Sequence, residues 1–314
     1  MPRLLSSLFA LAVAFPFLLL GCDPGDADDS AEAASDAAVE ECGEDAEPDA
    51  APTADHDPSD ATATREAARH AAAEAAGTLD EHPDHMPDDG PWMRSYGAYV
   101  VDRDTGEVIV SKKADRPRTM ASIAKLMGAL AFLSTEPDLD AEVSITRQDV
   151  YTPSFTKSPL QTYSRYRARD LLWHALLESD NRAISALARS TGLTGEEFGA
   201  RMNEIAADIG LVQSTFVEPT GINGDNRTTP YEAGVLLEAC LADPLLGEIL
   251  AHERHEFPRL DRARTHVAHS SNMLMRMDHW KVVGSKTGYT CLAGSCLVMV
   301  AEVEGRTLRM SFMG

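Results

Sequence analysis

Three short runs of polar residues occur in a fixed order along this 314-residue chain: Ser122-Ile123-Ala124-Lys125, Ser179-Asp180-Asn181 and Lys286-Thr287-Gly288. The first is a nucleophile with its base. Ser122 and Lys125 are three residues apart, so on a helix their side chains share a face, about one turn apart. A serine hydroxyl attacks poorly until a base takes its proton, and a lysine serves as that base when desolvation or a nearby cation draws its pKa towards neutrality. Lys286 is a candidate for the second cation. Ser179 and Asn181 then form an opposite wall, the hydroxyl passing a proton to a leaving amine and the amide orienting the substrate. Lys286 and Thr287, on a strand edge, offer a positive charge and a hydroxyl, and Gly288 permits close backbone approach.

Each run alone is weak, and the chain carries decoys. Ser154-Phe155-Thr156-Lys157 also reads Ser-x-x-Lys, and Ser270-Ser271-Asn272 also reads Ser-x-Asn. Pro153 and Pro159 bracket the Ser154 copy and oppose a continuous helix. Ser122 instead opens the apolar run Ile123–Leu133, which reads as a buried helix.

The elements that position these residues can be read from periodicity. Ser95–Val101 and Glu107–Lys113 alternate around Asp104-Thr105-Gly106, the pattern of a β-hairpin. Helical patterns follow at Ala121–Leu133, Ala168–Leu177, Arg182–Ser190, Gly195–Ile209 and Pro230–Cys240. Strand patterns return at Lys281–Thr287, Cys296–Val303 and Thr307–Phe312, with Glu304-Gly305 at a turn. The fold class expected is α+β: one antiparallel sheet made from both ends of the domain, with a helical region inserted.

The net charge of −22 is concentrated in one segment. Residues 23–90 hold 22 Asp and Glu against Arg65 and Arg69, a net of −20, and no Phe, Tyr or Trp. Such a stretch buries too little apolar surface to offset its ordering entropy and reads as a disordered acidic linker. As a flexible coil it spans roughly 45 Å or more. Past Gly90 the net charge is only −3, so neither nucleic acid nor an anionic membrane surface is an implied partner.

Residues 1–22 carry Arg3, an apolar stretch from Leu4 to Leu20, and Gly21-Cys22, the form of a secretory signal. Leu19-Leu20-Gly21-Cys22 resembles a bacterial lipoprotein signal. That would make Cys22 the lipidated first residue of the mature chain, and the alternative is an uncleaved membrane anchor. Either way the remaining domain, 91–314, lies outside the cytoplasm. Asp23 resembles the residue that retains some lipoproteins at the inner membrane. Among the other cysteines, Cys42 falls in the linker and Cys240 in an apolar helical pattern that marks core. Cys291 and Cys296 flank the turn after Lys-Thr-Gly, where pairing in an oxidising compartment is an open alternative. The ten histidines show no close metal-ligand spacing on a clear helix; His252 and His255 read as surface residues. No metal and no organic cofactor is expected.

Residues 92–314 resemble the low-molecular-mass penicillin-binding proteins, the D-alanyl-D-alanine peptidases. Met120–Met127 is similar to the family's nucleophile segment, Phe216–Ile222 to a shared loop, and Lys286–Thr290 with Ala293-Gly294 and Cys296–Met299 to the closing hairpin. Tyr163-Ser164-Arg165, the run from Ser179 to Ala183, and Asp278 with Trp280 are most similar to the D-alanyl-D-alanine endopeptidase branch. The resemblance implies a serine β-lactamase-like fold in the periplasm. It implies Ser122, Lys125, Ser179 and Asn181 as catalytic, and Lys286, Thr287, Gly288 and Tyr289 as substrate-binding. It also implies an oxyanion hole from the Ser122 and Tyr289 amides, peptidoglycan stem peptides as substrate and β-lactams as covalent inhibitors. The family usually continues past its last strand with a helix packed on the sheet and, in carboxypeptidase members, an arginine; the sequence stops at Met313-Gly314, so the expectation is either a sequence truncated at its C-terminus or a sheet with a less stable outer face. Three alternatives stay open: a carboxypeptidase, a class A-like β-lactamase using Glu218, and a wall-binding lipoprotein with a dead site.

Overall fold

The computed structural model describes residues 93–150, 158–277 and 280–314. The expected signal segment, the acidic linker, Cys22, Cys42, the Ser154/Lys157 pair and Asp278 lie outside the described residues.

An antiparallel five-stranded sheet forms from both ends of the domain, as the alternating patterns require. Strands β1 (Gly97–Asp102) and β2 (Val108–Lys112) make the first hairpin, and β9 (Lys281–Thr290), β10 (Gly294–Val303) and β11 (Arg306–Met313) return at the end. Their order is β2-β1-β11-β10-β9, so the first and last strands pair, Gly97 opposite Met313. Along β10 the side chains divide by parity. Cys296, Val298 and Val300 join the main core, whereas Leu297, Met299, Ala301 and Val303 join a second cluster with Leu274 and Trp280 on the other face.

Among the described residues, six α-helices run between the strands: α1 (Ala124–Leu133), α2 (Ala168–Leu177), α3 (Asn181–Ser190), α4 (Gly195–Asp208), α5 (Pro230–Ala242) and α6 (Pro244–Ala251). Helix α1 is apolar around nearly its whole circumference, and accordingly it is the buried centre, with α3, α4 and α5 packed on it. Helices α5 and α6 lie against the sheet. Thr194 and Glu197 close a capping box on α4, satisfying otherwise orphaned donors.

Helix α6 is absent from the sequence reading, though Asp243 caps it and Pro244 opens it, both ordinary start signals. Also unread were the hairpin of β7 (Arg254–Pro258) and β8 (Thr265–His269) and the short pairs β3 (Arg118–Thr119) with β6 (Arg227–Thr228) and β4 (Glu142–Ser144) with β5 (Arg165–Arg167). Runs of two or three residues are too short to show a period. Cys296 is a free, buried thiol, which removes the Cys291–Cys296 pairing as an alternative. Cys240 is buried core as expected, its thiol pKa raised by burial.

Candidate active site

The nucleophile segment enters its helix through a tight turn. Residues Ala121–Ile123 form a single 3-10 turn before α1, and Ala121 holds a positive φ of 48°. That backbone region is costly for a residue with a β-carbon and recurs where surrounding structure over-determines a site. Lys125, one turn into the motif, is wholly buried, while Ser122 is half-buried.

The Lys125 ammonium meets three acceptors. Its Nζ lies 2.8 Å from Ser122 Oγ, 2.6 Å from Asn181 Oδ1 and 2.7 Å from the Thr220 carbonyl. A protonated lysine has three donors and all three are matched here. Loss of one proton leaves a lone pair, and the Ser122 contact then reverses so that Oγ–H donates to Nζ. Burial draws the Lys125 pKa down to about 7, against the opposing pull of the Glu218 and Asp180 carboxylates. The sequence reading gave the cation Lys286 a share in this shift; desolvation is the main cause. Lys286 is equally buried, and its own pKa falls well below the usual lysine range through burial and the charge of Lys125.

The second wall is built by a helix start. Asp180 is the N-cap of α3 and accepts from the Ala183 amide at 2.9 Å. Burial opposes its ionisation, yet His174, with Nε2 at 3.5 Å, and the Ala183 amide hold its carboxyl below the usual carboxylate range. The cap turns Asn181 to Lys125. Ser179 sits in the left-handed region at φ 63°, its Oγ buried without a hydrogen-bond partner among the described residues.

The third wall is β9, the edge strand next to β10 among the described residues; Lys286 stands opposite Val298 and Gly288 opposite Cys296. Its other edge meets the nucleophile turn. A β-carbon on Gly288 would stand 2.8 Å from the Ser122 amide nitrogen, so glycine is what allows this approach. Lys286 Nζ donates to the Thr287 carbonyl at 2.9 Å, and Tyr289 is exposed at the mouth. The structure thus brings the three motifs together: Lys125 contacts Ser122 and Asn181, the Lys125 charge acts on Lys286, and Gly288 lies against the Ser122 amide.

Two contributors escaped the sequence reading. The Thr220 carbonyl is one; a main-chain group leaves no compositional signal. The other is Glu218, weighed there only as a possible water-activating base. Both its oxygens are committed to its own loop: Oε1 accepts from the Gly221 and Asn223 amides and Asn226 Nδ2, and Oε2 from the Thr220 amide and hydroxyl. Glu218 therefore shapes the turn that presents Thr220 to Lys125. A cavity of about 520 Å³ borders this loop, lined by residues such as Asp149, Arg189 and Phe198, but includes neither Ser122 nor Lys125.

The decoy Ser-x-Asn copy also reaches the site: Ser271 Oγ lies 2.5 Å from Thr287 Oγ1. His252 is exposed, and His255 stacks on Trp173 at 4.1 Å, both apart from this cleft.

Comparison with known proteins gives the family. The family described as D-alanyl-D-alanine carboxypeptidase, Peptidase S11, matches residues 85–314. A D-alanyl-D-alanine endopeptidase of Escherichia coli (strain K12) is 30% identical over 223 residues, covering 71% of this chain and 72% of that protein. One from Pseudomonas aeruginosa is 31% identical, covering 68% of each. The solved structure of a D-alanyl-D-alanine carboxypeptidase from Mycobacterium tuberculosis H37Rv superposes with a TM-score of 0.65 at 27% identity, covering 74% of this chain and 88% of that one. A buried lysine on a helical serine, an Asn-bearing helix start and a Lys-Thr-Gly edge strand thus sit in a chain that belongs to the S11 family of D-alanyl-D-alanine peptidases.

Proposed function

We propose that this protein is a serine DD-peptidase that cleaves D-alanyl crosslinks of peptidoglycan through an acyl-enzyme. The observation that carries this reading is the 2.8 Å contact of Ser122 Oγ with the buried Lys125 Nζ. Neutral Lys125 takes the Ser122 proton as Oγ attacks the D-alanyl carbonyl. The oxyanion is received by the amides of Ser122 and Tyr289, donors of a kind worth about 10²–10³-fold in rate each. The carbonyl re-forms as the C–N bond breaks, and Ser179 relays the proton held by Lys125 to the departing amine. Water, deprotonated by the same lysine, then attacks the ester and releases Ser122. Lys286 and Thr287 bind oxygen atoms of the stem peptide, and β-lactams acylate Ser122 by the first half of this path.

The endopeptidase assignment draws on the two relatives of that name. It is tested by digesting purified crosslinked and uncrosslinked muropeptides at equal concentration and weighing the products. Loss of crosslinked dimer is expected; release of free D-alanine with crosslinks intact would make the enzyme a carboxypeptidase. The β-lactamase alternative needs a free carboxylate at Glu218, and the five hydrogen bonds into its own loop count against it. We further propose, from Leu19–Cys22 and the acidic segment after it, that lipidated Cys22 tethers the domain to the periplasmic face of a bacterial membrane, probed by labelling with a radioactive fatty acid in cells carrying Cys22→Ala.

A further inference from the structure

The run Ser270-Ser271-Asn272 has a site-forming role of its own. It is held on two sides of the site, by main chain on one and by a side chain on the other. The Ser271 amide donates to the Leu177 carbonyl at 2.9 Å, at the end of α2 and two residues before Ser179. Asn272 Nδ2 donates to Ser285 Oγ at 2.9 Å, two residues before Thr287 on β9. Asn272 Oδ1 also caps the 3-10 turn Met273–Arg276, and the Ser270 amide donates to the Glu253 carbonyl at 2.7 Å. Three residues therefore strap the Ser179–Asn181 wall to the Lys286–Gly288 strand. Within this rigid strap Ser271 is exposed, yet its hydroxyl is held 2.5 Å from that of Thr287.

We propose that Ser271 is a positioning residue that sets the Thr287 hydroxyl as a donor towards an oxygen acceptor of the substrate, a carboxylate or amide carbonyl of the stem peptide. Each hydroxyl has one proton. If Thr287 spends its proton on Ser271, it can only accept from a ligand. When Ser271 donates to Thr287, the Thr287 proton is left for the ligand, and the two hydrogen bonds run in one direction and polarise each other. An acceptor in the cleft selects this second arrangement. Alanine at position 271 removes the donor and frees Thr287 to rotate.

This inference rests on the reading of Thr287 as a substrate-contacting group, so the test separates the two. kcat and KM on purified crosslinked muropeptide and the rate of penicillin acylation are measured for Ser271→Ala, Ser271→Thr, Thr287→Ala and the Ser271→Ala/Thr287→Ala double variant. Melting temperature is recorded for each. Expected is a KM for Ser271→Ala raised about 3- to 10-fold, the worth of one neutral hydrogen bond, with kcat and the melt little changed. Ser271→Thr restores it, and Ser271→Ala costs nothing more in the Thr287→Ala background. Wild-type behaviour of Ser271→Ala, or losses that multiply in the double variant, would overturn the positioning role alone. A Thr287→Ala enzyme with unchanged kinetics would instead overturn the substrate-contact reading and this proposal with it.

Discussion

Gly221 cannot carry a β-carbon, because the carbonyl oxygen of Ala121 stands 1.8 Å from where that atom would be. The loop that Glu218 shapes is thereby pressed onto the residue that precedes the nucleophile, and Gly221 itself holds a φ of 80°. Loop and nucleophile turn form one unit: Thr220 reaches Lys125 only if Gly221 passes Ala121 at this distance. Gly221→Ala is expected to destabilise the domain by at least about 1–3 kcal/mol, since strain and a backbone clash add. Penicillin labelling should fall with it. A thermal melt and gel labelling measure both, and wild-type values in each would show that the loop is free to move aside.

The pH dependence of acylation follows from Lys125. Its pKa of about 7 means that the neutral, proton-accepting form grows as pH rises through neutrality. The acylation rate should climb about tenfold per pH unit below that value and level off above it. Stability carries the same sign: a lysine with a depressed folded pKa is a cost that is full below about pH 7 and is relieved between there and the unfolded value near 10.5. Lys125→Met should abolish acylation and flatten the rise of melting temperature with pH over that window. A flat acylation profile from pH 6 to 8 in the wild type would remove Lys125 as the base.

Glu218 gives a sharper version of the same test. Its carboxylate raises the Lys125 pKa, opposing the effect of burial. Glu218→Gln should therefore move the acidic limb of the acylation profile to lower pH. It should also loosen the loop, because an amide accepts through one oxygen where the carboxylate uses two. A wild type that turns penicillin over, beside a Glu218→Gln variant that acylates normally and then accumulates the penicilloyl-enzyme, would point the other way, to Glu218 as a deacylating base.

Much of this was legible in the sequence, for identifiable reasons. Helix α2 was placed to the residue, and the terminal hairpins within a few residues, because nearly continuous apolar runs mark elements buried on more than one side. The meeting of the three motifs was legible because each proposed chemical role admits few side chains. What escaped depends on conformation and not on composition. The positive φ of Ala121 and Ser179 has no side-chain signature, unlike a glycine at the same place. The Thr220 acceptor is main chain, and Glu218 entered only as the base of the β-lactamase alternative, because its spacing carries no trace of the amides it collects. Ser271 was set aside as a decoy on motif context alone, whereas the strap that brings it to Thr287 joins elements far apart in sequence.

The proposed reaction begins with Ser122, activated by Lys125, forming the acyl-enzyme. The most direct measurement is mass spectrometry of peptides from the penicillin-treated protein, run beside Ser122→Ala and Ser154→Ala variants. A single penicilloyl adduct on the peptide bearing Ser122, lost in Ser122→Ala and retained in Ser154→Ala, is the result expected. An adduct that survives Ser122→Ala, or that maps to Ser154, would contradict it.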